Sequence, residues 1–187
     1  MADGNPTPTD HDGYVWITNY CSFEQQSFLT LKSRYLNWFC RMAVVDKQGN
    51  IISIVRNHEC SFGEGPLMTI QGGGTYGTGD IAGGNTNILF DISSGEFVSS
   101  YGSLVGAIRP CAGGPTPWGS WLSAEENFSV DQFGFEHGWL FDVPGFGISD
   151  GVPIKAAGRF NHEAAAVDPQ TGGKLISEAM VLTKCYQ

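Results

Sequence analysis

The chain has 187 residues, enough for one domain with a sizeable core. Charged residues make up only 16%, whereas Gly (26) and Pro (9) are plentiful, so short strands and many turns are expected rather than helices. The formal net charge of −9 argues against a general nucleic-acid binder, because phosphate contacts need Lys and Arg. The same acidity suits a protein that collects metal cations, and it equally serves plain solubility.

Residues 1–13 read as a flexible, polar and acidic tail without the basic and apolar regions of an export leader. Residues 14–187 read as one domain. Tyr14 to Thr18 is a first strand candidate, and 22–37 carries only a weak helical pattern at Phe28, Leu31 and Leu36. Ala43 to Asp46 and Ile51 to Val55 flank Lys47-Gln48-Gly49-Asn50, which predicts a hairpin. Asn87 to Asp91 and Gly95 to Ser99 predict a second hairpin. Trp118 to Ser123 and Gly138 to Val143 predict further strands. Ala164 to Asp168 and Lys174 to Ser177 predict another hairpin about the turn 169–173. Gly-rich loops lie between, notably Gln71 to Asn85. They lack the Gly-Lys-Ser/Thr of a phosphate-binding loop. The apolar runs are too short for a membrane-spanning helix. Successive hairpins without long helices point to an all-β propeller, sandwich or barrel.

An internal echo favours the propeller. Asn57-His58-Glu59 and Asn161-His162-Glu163 share one tripeptide, and Trp121 to Asn127 again runs from apolar residues into Glu125-Glu126. Carboxylates that converge on a central channel repel one another unless a cation sits between them. That makes Glu59, Glu163 and a carboxylate of the Glu125-Glu126 pair candidate metal ligands, with turn caps or surface ion pairs as the alternative. The five cysteines, Cys21, Cys40, Cys60, Cys111 and Cys185, show no CxxC spacing and form no disulfide framework that the sequence reveals.

Four ordered motifs then make a family resemblance visible. Arg56 to Glu59, the block Cys111 to Glu126 (CAGGPTPWGSWLSAEE), His137 to Val143 and Gly158 to Gly172 closely resemble segments of PhoX-type alkaline phosphatases, specifically their N-terminal part. The block at 111–126 is long and chemically unusual. The resemblance implies an incomplete β-propeller ring of about three blades. It implies iron and calcium ions as cofactors and phosphate monoesters as substrates. By position, Cys111 would be a thiolate ligand to iron, Glu126 a carboxylate ligand near it, and Glu59 and Glu163 further ligands to iron or calcium. Cys111 and Glu126 would be the catalytic pair. The family also implies a periplasmic or extracellular location, while the N-terminus leaves the compartment open between a cytoplasmic chain and a mature form or fragment lacking its leader.

His58 and His162 precede two of these acids and either orient them or fill the core. Trp118 and Trp121 are expected in the core, with a role as walls of the site as the alternative. Arg109 is expected to be solvated or to bind backbone, although it could also meet a phosphate. The Gly113-Gly114 step allows a close approach of the backbone. The sequence departs from the family pattern at Pro110, Ala124, Ser120 and Ala179, where Asn, Cys, Thr and Asp are usual, and family members are commonly at least twice as long. Two other readings therefore stay open: a non-catalytic propeller-like module that self-assembles or binds partners, and a calcium-dependent lactonase-like propeller. A homo-oligomer that closes the ring belongs with either the enzyme or the module.

Overall fold

The computed structural model describes residues 16–19, 41–46, 49–70, 72–168 and 175–178. The tail at 1–13, the ambiguous segment 22–37, the turn 169–173 and Cys21, Cys40 and Cys185 lie outside them. The described chain is all-β apart from one three-residue 3-10 turn at Lys155–Ala157. Strands β1 (Trp16–Asn19), β2 (Arg41–Val45), β3 (Ile51–His58), β4 (Gly84–Asp91) and β5 (Glu96–Val105) form a five-stranded sheet in chain order. Strands β6 (Pro110–Pro115), β7 (Ser120–Glu125) and β8 (Leu140–Pro144) form a three-stranded sheet. Strands β9 (Ala164–Val167) and β10 (Leu175–Glu178) pair as a ribbon. Every neighbouring pair of strands is antiparallel. Consecutive meanders of this kind are propeller-like, in agreement with part of a ring.

The hairpins follow from local chemistry. The β2–β3 turn is closed by Asp46, whose carboxylate accepts from the Asn50 and Ile51 amides at 2.7 and 3.0 Å, and Gly49 supplies the left-handed residue at φ 76°. Asp91 does the same for β4–β5, accepting from Ser93 and Ser94, with Gly95 at φ 74°. These two predicted hairpins therefore form, and the strands of the third pair as β9 and β10. β6 was not expected as a strand. Its Gly-Pro content reads as loop, but it pairs with β7 and lies against β9, where tertiary packing outweighs propensity.

The three-stranded sheet is the buried centre, and every residue of β7 is buried. Trp121, Trp139, Phe141 and Val143 face the five-stranded sheet and pack with Val55, Leu104 and Ala107. Leu122, Ala124 and Leu140 face the other way, onto Ala165 of β9. A sheet covered on both faces loses the simple alternation of apolar and polar residues.

Two buried asparagines tie the first sheet to the second. Asn57 on β3 donates to the carbonyls of Cys111 and Ala112 at 3.0 and 2.7 Å. Asn87 on β4 donates to the carbonyls of Pro144 and Gly145 at 2.9 and 2.8 Å. The Asn57 oxygen also accepts from Asn85 at 2.6 Å and from the Trp121 indole at 3.1 Å. Asn57→Ala would leave these four groups unpartnered in a buried seam. It is expected to lower stability by about 3 kcal/mol or more, read as a fall in melting temperature, whereas Asn161→Ala at an exposed position should change it little.

Candidate metal centre

The end of β3 delivers Glu59, the start of β6 delivers Cys111, and the end of β7 delivers Glu126. Each is half-buried, and one ligand atom from each lies within 4.8 Å of the others. Local structure explains the meeting. Asn57 holds the Cys111 carbonyl two residues before Glu59. Strand alternation sends Glu125 inward and leaves Glu126 facing the cluster.

Glu125 is itself an anchor. Its fully buried carboxylate accepts from the amides of Ile108, Gly138 and Trp139 at 2.8, 2.7 and 3.0 Å and contacts His137 Nδ1 at 2.8 Å. Three backbone amides and the imidazole contact satisfy a group whose burial would otherwise be penalised.

Arg109 completes the cluster. Its guanidinium lies 3.1 Å from Glu126 and 3.5 Å from Glu59. Its own amide donates to the Cys60 carbonyl at 2.9 Å, and its carbonyl accepts from the Glu126 amide at 3.0 Å. The expectation of a solvated or backbone-binding arginine side chain is met only in its 38% exposure, because the guanidinium pairs with carboxylates instead. The ion pairs with the two carboxylates depend on long-range geometry that the sequence does not encode locally.

Of the other sequence candidates, Glu163 stands outside the three-atom cluster. Its backbone carbonyl accepts from the Ala112 amide at 3.0 Å, and its charge reaches the Cys111 thiol. His58 contacts the Thr86 hydroxyl at 2.9 Å. His162 is fully buried against the Phe160 ring, with Nε2 3.2 Å from the Gly158 carbonyl. Trp121 is in the core as expected. Trp118 is instead 46% exposed and donates to Asp142 at 2.9 Å, because its turn precedes the buried strand. The tripeptide echo is not structural: Asn57 is buried on β3 whereas Asn161 is exposed ahead of β9. Ser120 contacts the Thr116 hydroxyl within its turn at 2.8 Å.

Burial shapes the electrostatics. It pushes the Cys111 thiol up to about 12, reinforced by Glu59, Glu126 and Glu163, so without a bound cation the sulfur keeps its proton. Burial also raises the Glu59 carboxyl, against the pull of Arg109. Burial first, then Arg56, lowers His58 to about 4. Its folded value lies below the unfolded 6.5, so the unfolded chain binds the extra proton, and stability present above the unfolded value is lost as pH falls toward the folded one. His58→Gln should therefore flatten the loss of melting temperature in that window, removing roughly 1–3 kcal/mol of acid destabilisation. An unchanged pH profile of unfolding would contradict this.

The family model described as alkaline phosphatase PhoX matches residues 40–177, which takes in every strand from β2 to β9 and most of β10. No curated protein and no solved structure matches the chain. The matched span contains Glu59, Cys111, Glu126, Glu163 and Arg109, and the chain belongs to the PhoX alkaline phosphatase family.

Proposed function

We propose that this chain carries the core of a metal-dependent phosphomonoesterase site, in which Glu59, Cys111 and Glu126 hold a metal ion and Glu163 supports a neighbouring one. The observation behind the proposal is the convergence of two carboxylates and one thiol from three different strand ends. The donor set fits the ions that the family implies: a thiolate is a soft donor suited to iron, and carboxylate oxygens suit calcium as well. A calcium-only, lactonase-like site has no use for Cys111, so the thiol favours the phosphatase reading. We take residues 14–187 as one partial propeller domain around this site.

Bound metal supplies charge neutralisation on a phosphate ester and an activated oxygen nucleophile. The protein's part is positional. Asn57 fixes the main chain of Cys111, and Glu125, next to Glu126, fixes the main chain at Ile108 and at Gly138-Trp139. Glu59 and Glu126 present oxygens, and Cys111 gives up its proton to become a ligand. The Ser120 hydroxyl pairs with Thr116, which leaves it no part in this mechanism.

The full chain, loaded with iron(II) and calcium, is expected to hydrolyse a chromogenic phosphomonoester. Glu126→Gln and Cys111→Ala should each lower kcat/KM by at least about 100-fold. Iron content that stays the same in Cys111→Ala would overturn the ligand assignment, and a loaded but inert wild type would favour the non-catalytic module. Iron affinity should also rise with pH, by up to about tenfold per unit, because binding displaces the thiol proton. Cys111→Ala should lose that slope.

A further inference from the structure

Arg109 is the one described residue other than glycine with a left-handed backbone, at φ 44°. Such a conformation costs free energy in a bulky side chain and persists only where its surroundings hold it. Here the holding is explicit, because the Arg109 amide is tied to Cys60 and its carbonyl to Glu126. These ties place the guanidinium against the same two carboxylates, Glu59 and Glu126, that converge with Cys111. The arginine side chain is 38% exposed, against 16% and 26% for its partners, so it enters from the solvent side.

We propose that Arg109 is the resident counter-ion of the cation-free site, and that a metal ion and the Arg109 guanidinium occupy it in exchange for one another. Two carboxylates this close repel each other when no cation is present, and the guanidinium holds them in place. A divalent ion on the same two carboxylates is a like charge beside the guanidinium, so the arginine turns out into solvent. The main-chain ties to Cys60 and Glu126 do not involve the side chain, so the strap around the site survives the exchange. Arg109 thus preforms the site and also weakens metal binding, which makes occupancy responsive to the free metal concentration. This rests on the metal-site reading above.

The test uses the full chain under anaerobic conditions, with iron(II) titrated calorimetrically into wild type, Arg109→Asn and Arg109→Lys. Asparagine tolerates the left-handed backbone and carries no charge. Metal-free Arg109→Asn is expected to melt below the wild type and to bind iron(II) about tenfold more tightly. Arg109→Lys should fall between the two. In a second measurement that needs no variant, the rate at which phenylglyoxal modifies Arg109, followed by mass spectrometry, should rise several-fold when the wild type is saturated with iron(II). Equal or weaker iron binding by Arg109→Asn, or a modification rate that does not rise in iron-loaded wild type, would overturn the exchange and leave the metal site standing. Failure of both wild type and variants to bind iron(II) would instead overturn the metal reading, and the exchange with it.

Discussion

Asn57 donates both hydrogens of its buried amide to consecutive carbonyls of β6, while its oxygen accepts from Asn85 and Trp121. Those four bonds join β3, β4, β6 and β7, the strands that surround the site. An unpaired polar group in this seam would cost more than a typical net hydrogen bond provides, so the asparagine specifies one register between the two sheets. Glu59 lies two residues further along the chain, and one of the gripped carbonyls belongs to Cys111 itself. The spacing between a carboxylate from one sheet and a thiol from the other thus traces back to this one amide.

Glu125 does for the other side of the cluster what Asn57 does for the first. Its carboxylate gathers amides from Ile108, Gly138 and Trp139, and so fixes the approach to β6 and the entry to β8. The adjacent carboxylates of Glu125 and Glu126 have opposite tasks set by strand alternation alone: one is internal and satisfied by protein donors, and the other is left facing Arg109. The protein thereby keeps the candidate ligand Glu126 next to a rigid buried anchor, which is how a site gains precision without a large core.

Much of this was legible in the sequence. Asp46 and Gly49, and Asp91 and Gly95, sit where tight turns need them, and the hairpins follow. The family resemblance of the block from Cys111 to Glu126 implied that a thiol and a carboxylate lie together, and the fold brings them within 4.8 Å of each other and of Glu59. Other features were not legible because they depend on what lies across the fold. Strand β6 has the composition of a loop and becomes a strand through its neighbours. The two Asn-His-Glu segments are the same tripeptide in different surroundings: one asparagine is buried and bonded on four sides, and the other is exposed. The pairing of Arg109 with Glu59 spans fifty residues of chain, and no local pattern encodes it.

The glycines after Cys111 carry a consequence of their own. A Cβ at Gly113 would fall 1.7 Å from the Leu122 carbonyl oxygen, and one at Gly114 would fall 1.7 Å from that of Ala165. Main chain therefore rests directly on main chain on both flanks of β6, with no side chain between. Side chains in a core can be exchanged, and their volumes drift. Peptide groups cannot. The thiol is thus mounted on an element whose position is independent of which apolar residues fill the core on either side, so the core is free to change composition while the site keeps its dimensions.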